Sequence, residues 1–191
     1  KDGHDQKTDV SGGIGLISSR VCVDGPIQKN KSSFLVTARR TYADLFLKLS
    51  NNKNINDNQL YFYDINLKAN YQLSNKSQLF ASGYFGKDKL GFGNQFGIDW
   101  GNQTGTLRWN YIVSPKLFSN TSFIYSNYKY NILLTNDITV FHIQSSIKDL
   151  NLKQDFEWHS NNKSTWHFGL NTIYHSIAPT RFMGGNDTAD Y

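Results

Sequence analysis

The sequence predicts an all-β chain, an antiparallel meander of about eight long strands. Three observations carry this. Apolar or aromatic residues alternate with polar ones over long runs, which is the two-residue period of a strand. The tripeptide Asn-Lys-Ser stands at 30–32, 75–77 and 162–164, each time between two such runs, and Ser114-Pro115-Lys116 fills the gap in the same rhythm. These short polar turns alternate with longer, less regular connections around 43–58, 88–97, 132–140 and 178–191. Short turns at one end of antiparallel strands and long loops at the other are how a transmembrane β-barrel reads in sequence.

The expected strands are 12–24, 32–42, 59–72, 77–87, 98–113, 117–130, 140–158 and 164–177. Most exceed the five or six residues common in soluble sheets, and tilted strands of about 9–11 residues cross a bilayer. The first opens on Gly12-Gly13 and ends before the turn at Asn30, and the second runs from that turn to the connection at 43. The third shows two faces, with Tyr61, Tyr63, Ile65, Leu67, Ala69 and Tyr71 on one and Asp64, Asn66, Lys68 and Asn70 on the other. Centring its turn on Asn75 pairs Tyr71 with Leu79, Ala69 with Ala81 and Ile65 with Phe85. Centring the next short turn on Ser114 pairs Tyr111 with Leu117, Leu107 with Thr121 and Arg108 with Asn120. The seventh strand changes phase, since Phe141, Ile143 and Ile147 are odd while Leu150, Leu152, Phe156 and Trp158 are even. A bulge near Lys148-Asp149 would restore one apolar face. Centring the last turn on Asn162 pairs Trp158 with Trp166, Phe156 with Phe168 and Leu152 with Thr172, and sets Glu157 against His167. Each hairpin thus sorts into an apolar and a polar face, the outcome that a correct register requires.

Composition narrows the class. Aromatics are 15% of the chain and apolar residues only 38%, spread in alternation. The chain lacks the run of about 20 apolar residues that a membrane helix needs, so spanning would require a closed ladder of strands. Aromatics gather near strand ends, Tyr61 and Tyr63 at one and Tyr71, Trp109, Tyr111, Trp158 and Trp166 at the other, as two interfacial girdles would. The chain opens Lys-Asp-Gly-His-Asp with no signal-peptide pattern, which predicts a processed or excised piece. The lone Cys22 excludes an internal disulfide. A formal charge of +5 with pI near 9.2 comes from lysines at turns rather than a dense patch, so nucleic acid is not an expected partner.

No cofactor, metal or catalytic centre is expected. His167 and His175 share a face but stand roughly 26 Å apart on an extended strand, too far for one zinc ion. Glu157 with His167 reads as a polar cross-strand pair. The Gly-rich start and Gly91-Phe92-Gly93 lack the strand-to-helix context of a nucleotide loop. The Asn-Lys-Ser copies match a glycosylation sequon but are explained by turn chemistry. No nucleophile stands with a base in a recognisable arrangement, so the chain reads as no enzyme. Polar-face charges at Arg20, Arg39, Asp64, Lys68, Arg108, Lys153, Asp155, Glu157 and the imidazole of His167 are the candidates to line a pore, or else to bridge neighbouring strands laterally. Alternation alone does not say which face is outward, and a soluble ligand-carrying barrel with its apolar face inside remains a reading.

The run from Gly12 to Arg20, continuing through Val23-Asp24-Gly25-Pro26 to Ser33–Phe46, closely resembles TonB-dependent outer-membrane receptors of the Bacteroidetes type. The resemblance continues through Leu60–Asp64, Gly83–Gly86, Trp100–Asn102 and Leu107–Asn110, and its most specific piece is Arg39-Arg40-Thr41-Tyr42-Ala43-Asp44. It implies a barrel of about 22 strands around an N-terminal plug, in the outer membrane of a Gram-negative cell. It further implies uptake of a scarce solute such as a metal chelate, a cofactor or a glycan. The implied partners are outer-membrane lipid, the rest of the barrel, the plug, the TonB complex acting through it, and a surface lipoprotein. The matched region corresponds to the first strands after the plug, so residues 1–191 are expected to be a single barrel segment with no plug or regulatory domain. Such an arc has two open edges and is expected to curl closed on its own, pair with copies of itself or form part of a larger assembly, an open or self-associated sheet being favoured over a closed barrel. A complete eight-stranded outer-membrane protein with a structural or adhesive role stays open beside it.

Overall fold

The computed structural model describes residues 3–48, 53–93, 95–135, 139–161 and 163–186. It is one antiparallel sheet of nine strands lying side by side in chain order. These are β1 (Asp9–Ile14), β2 (Ser18–Gln28), β3 (Ser32–Thr41), β4 (Gln59–Ser74), β5 (Ser77–Phe92), β6 (Phe96–Ser114), β7 (Leu117–Thr135), β8 (Thr139–Asn161) and β9 (Ser164–Asn186). Two short helices, α1 (Ala43–Lys48) and α2 (Lys53–Asn56), bridge β3 and β4. Among the described residues β1 pairs only with β2 and β9 only with β8, so the sheet is open.

The strand expected over 12–24 is a hairpin instead, which makes nine strands rather than eight. Gly15 N–H donates to the Ser18 carbonyl at 2.8 Å, and Ile14 then faces Ser19 and Val10 faces Val23. The glycines that open this run give a strand little side-chain surface to pack, and there the chain reverses.

The remaining short turns share one device. The Ser74 hydroxyl accepts the Lys76 amide at 3.2 Å, Ser114 accepts Lys116 at 3.3 Å, and the Asn161 side chain accepts Lys163 at 2.9 Å. In each hairpin the ladder slips just before that capping residue, between Gln72/Ser74, Ile112/Ser114 and His159/Asn161. The repeated unit is therefore a small polar residue, one spacer and lysine, a side-chain-closed turn with a bulge behind it. Ser114 corresponds to Ser74, not to Asn75. The expected centre was one residue early, and the true register sets Tyr111 against Ser119, Leu107 against Phe123 and Arg108 against Ser122. Because the error is two residues in register, both faces were still sorted correctly. The registers expected around Asn75 and Asn162 are those observed, although Asn162 itself lies outside the described residues.

The first turn differs, with Asn30 in the left-handed region at φ 61°. Asn30→Gly is expected to be neutral in a urea titration, and Asn30→Val to cost about 1–2 kcal/mol, because a β-branched side chain meets its own carbonyl there.

Strands at the opposite end run further than their composition suggests. The connections expected at 88–97, 132–140 and 178–191 are mostly strand, since β5 reaches Phe92, β6 starts at Phe96, β7 reaches Thr135, β8 starts at Thr139 and β9 reaches Asn186. Residues 94, 136–138 and 187–191, and 49–52 in the helical connection, lie outside the described residues. Polar residues such as Lys87, Asp99 and Asn131 are poor strand formers, but a paired neighbour supplies the ladder that overrides propensity. The bulge expected near Lys148-Asp149 is absent from the β7–β8 ladder, which runs unbroken from Leu117↔Trp158 to Thr135↔Val140. An irregularity against β9 sits instead between Gln144 and Ser146, near Pro179, which has no N–H to donate.

The sheet buries almost nothing apolar. Leu35 is the one buried hydrophobic residue among those described, while Asp24, Ser32, Ser33, Asp64, Ser122 and Asn127 are buried polar groups. Large apolar side chains are exposed throughout, from Leu67 and Leu107 to Phe168 and Leu170.

Candidate functional site: the two faces of the sheet

Register fixes which residues share a face. Leu67, Gly83, Gly105, Tyr125, Leu150 and Tyr174 form one row across β4 to β9, and Ala69, Ala81, Leu107, Phe123, Leu152 and Thr172 form the next toward the short turns. This Leu107 face carries Trp109, Tyr111, Phe156, Trp158, Trp166 and Phe168 nearer those turns. Rings stack along it, with Phe156 and Phe168 centroids 5.4 Å apart and Trp109 and Tyr111 at 5.5 Å. The other face, the Asp64 face, holds Asn66, Lys68, Asn70, Thr106, Arg108, Asn110, Asn120, Ser122, Lys153 and Asp155 over the same span.

All of the pore-lining candidates lie on the Asp64 face, in three separate groups. Arg20, Arg39 and Asp64 form one row across β2, β3 and β4. Arg39 grips Asp64 with Nε at 2.8 Å and a terminal guanidinium nitrogen at 2.7 Å, and its guanidinium carbon stands 4.9 Å over the Phe62 ring. Lys68 and Arg108 line a shared hollow with Phe80, Ser82 and Thr106. Lys153 and Asp155 form an ion pair at 2.9 Å. Asp155, Glu157 and His167 line a groove of about 560 Å³ whose wall runs from Gln72 on β4 to β9. In a flat sheet those two strands would lie about 24 Å apart, so the Asp64 face is the concave one at this end.

Glu157 and His167 are direct partners across β8 and β9. Glu157 divides its carboxylate, one oxygen 2.9 Å from His159 Nε2 and the other 4.0 Å from His167 Nδ1, while His175 pairs with Asp149 at 2.7 Å. These are lateral strand-to-strand contacts, and among the described residues no three such ligands converge.

The Arg39–Asp44 segment is a tie between elements. Beyond the Arg39–Asp64 pair, Thr41 Oγ1 accepts the Phe62 amide at 2.8 Å, Tyr42 N–H donates to the Ile17 carbonyl at 2.9 Å and its hydroxyl donates to the Gly15 carbonyl, and Asp44 is buried in the first turn of α1. Comparison of the chain with family models, with curated proteins and with solved structures found no match.

One feature escaped the sequence reading: the faces exchange polarity along the strands. Beyond the row of Leu150, the Leu107 face becomes polar on β6 and β7, with Asp99, Gln103, Asn127, Lys129 and Asn131, and Lys87 joins them from β5, while Ile65, Tyr63 and Phe85 keep it apolar toward β4. The Asp64 face there becomes apolar and aromatic, with Ile98, Ile132 and Ile143 in one row and Trp100, Tyr128 and Tyr130 beside them. The phase change of β8 was the signal. Its odd residues Ile143 and Ile147 lie on the same side as Asp149 and Lys153, and the apolar residues change sides without any bulge.

Proposed function

We propose that this chain is part of the wall of an outer-membrane transport barrel of the TonB-dependent kind its sequence resembles. The Leu107 face meets lipid and the Asp64 face meets the lumen. One observation carries the reading: a sheet with a single buried apolar side chain among those described exposes many large ones on one face, among them Leu67, Leu107, Phe123, Leu152 and Phe168. A soluble domain of this length would cover such a belt with a core, whereas in a barrel whose remaining strands close the ladder, acyl chains cover it at no cost in unsatisfied backbone. The belt is somewhat shorter than the apolar band of about 25 Å that such barrels carry, and Gln154 interrupts it on β8. On β8 it runs nine residues from Leu150 to Trp158, about 26 Å along the strand and roughly 20 Å across a bilayer at a tilt near 40°. Tryptophans Trp109, Trp158 and Trp166 mark its lower rim, where indole rings favour the headgroups.

In the intact receptor the unpaired edges of β1 and β9 continue into the rest of the barrel. The lumen charges face the plug, through which the TonB complex acts, and a surface lipoprotein covers the outer mouth. The strands overshoot the belt at the end remote from the short turns. There the aromatic patch around Trp100, Tyr128 and Tyr130 is the part of the wall suited to a solute such as a metal chelate, a cofactor or a glycan.

The four tryptophans supply the test. Each is kept singly, the others changed to Phe, in the full chain reconstituted into vesicles with brominated acyl chains. Trp109, Trp158 and Trp166 are expected to be quenched by the lipid bromines and Trp100 spared. Quenching of Trp100 with the other three spared would reverse the faces, and a chain that stays monomeric in plain buffer would remove the membrane altogether.

A further inference from the structure

On the Asp64 face, in the part of the strands that overshoots the belt, an aromatic ring and a carboxylate stand side by side twice. The first pair is Phe62 with Asp64, and it holds a cation. The Arg39 guanidinium lies over the Phe62 ring, its central carbon 4.9 Å from the centroid, and donates to Asp64 from Nε at 2.8 Å. The second pair is Trp100 with Asp88, direct partners across β5 and β6. Phe62, Asp88, Trp100 and Tyr130 form one row across β4 to β7, so neighbouring backbones in it stand about 5 Å apart. Asp88, Trp100 and Tyr130 are all half-buried.

The second pair has no cation. Among the described residues, Asp64, Asp88 and Asp149 are the carboxylates that β4 to β9 carry on this face beyond the row of Leu150. Arg39 holds Asp64 and His175 holds Asp149, each at 2.7 Å, whereas no ion pair or hydrogen bond within the described residues reaches Asp88. The nearby strand lysines Lys87, Lys89 and Lys129 alternate to the opposite face. Burial, with the charge of Asp64 added to it, raises the Asp88 carboxyl above the usual carboxylate range against the opposing pull of Arg39, as befits an acid with too little positive charge beside it. The Trp100 indole makes no ring contact and no hydrogen bond among the described residues, so its faces are open. The Tyr84 ring lies along β5 over Gly86, where an added Cβ would collide with it, and brings its hydroxyl toward Asp88.

We propose that Trp100 and Asp88 bind the guanidinium group of a solute. The planar cation stacks on the indole face and turns two N–H groups to the Asp88 carboxylate, repeating the seat that Arg39 takes between Phe62 and Asp64. A guanidinium suits this position because it is weakly hydrated, stacks on aromatic faces and meets a carboxylate with a fork of donors. Indole is the strongest of the ring faces for a cation. The site names a class of solute for the aromatic patch of the transport reading, and it rests on the Asp64 face being the lumen.

The test uses the full chain with Trp100 as its sole tryptophan, in dodecyl maltoside micelles at constant ionic strength. It is titrated with ethylguanidinium chloride and with ethylurea, the neutral molecule of the same shape. Ethylguanidinium is expected to shift the Trp100 emission saturably, and ethylurea to leave it unchanged. Asp88→Asn should weaken the ethylguanidinium response roughly tenfold, Asp88→Glu should keep most of it, and Asp99→Asn, beside Trp100 but on the opposite face, should change nothing. Asp88→Asn should also keep the urea midpoint of its parent, because no partner is lost. An equal response to ethylurea, an undiminished response in Asp88→Asn, or an equal loss in Asp99→Asn would overturn the site. So would a lowered urea midpoint for Asp88→Asn, the mark of a carboxylate already held within the protein. The brominated-lipid test above tells the two readings apart. Trp100 spared by lipid but blind to ethylguanidinium disproves the site alone, and Trp100 quenched by lipid disproves the lumen reading beneath it.

Discussion

Leu107→Arg is expected to lower stability by about 2–4 kcal/mol when the full chain is unfolded with urea from vesicles, the cost of a cation near the bilayer midplane on the lipid face of a barrel. Leu107 sits in the middle of the β6 belt, between Ala81 on β5 and Phe123 on β7, and is 47% exposed. Its chain neighbour Thr106 lies on the concave face beside Lys68 and Arg108, and Thr106→Arg is expected to cost only like-charge repulsion of about 0.5–1 kcal/mol. Gln103→Arg, on the Leu107 face but at the row where the belt ends, should cost only about 0–1 kcal/mol. The gradient from Leu107 to Gln103 separates a lipid belt from a protein core, because packing loss does not fade with depth in a membrane. A Thr106 variant weaker than the Leu107 variant would invert the sheet.

The second large effect is an asymmetry in the Arg39–Asp64 pair. Asp64 is 9% exposed, whereas the Arg39 side chain is 55% exposed and rests on Phe62. Arg39→Ala removes both charge-assisted hydrogen bonds from a carboxylate that cannot turn to water, at a cost of about 1.5–3 kcal/mol. Asp64→Ala leaves a guanidinium that swings into the lumen and keeps its ring contact, so its cost should be smaller by roughly 1 kcal/mol. Arg39→Lys keeps the charge but loses the two-nitrogen grip and should fall between. Urea midpoints of the three variants and of the double alanine variant measure the coupling, and equal costs for the two single alanine variants would mean that Asp64 is hydrated rather than held. Because the pair bridges β3 and β4 next to the Thr41–Phe62 bond, the loss should be felt first at that junction.

Particular elements show where sequence was enough. The Asn75 and Asn162 hairpins, Tyr71 against Leu79 and Trp158 against Trp166, were legible because the two-residue period excludes a slip of one residue and the tripeptide there is centred on the true turn. The Ser114 hairpin was misplaced because the capping side chain, not the tripeptide, sets the centre, and only the Ser114 hydroxyl on the Lys116 amide reveals that. The Gly-rich opening read as one strand, since alternation is silent about where glycines let a chain reverse. Of the candidate site, the residues were visible but their grouping was not. Arg20, Arg39 and Asp64 are 44 positions apart from first to last and meet only through strand pairing.

The chain by itself determined that it would be an antiparallel meander of long amphipathic strands joined by tight polar turns, because side-chain alternation and turn chemistry are local properties of neighbouring residues. Tertiary pairing decided the nine-strand count, the open edges and the exchange of polarity at mid-strand. Those depend on which backbone donor finds which acceptor on another strand. That choice carries Lys87, Gly101 and Lys129 into one row and leaves Ile143 on the side of Lys153, and it is made by the ladder as a whole rather than by any one run of residues.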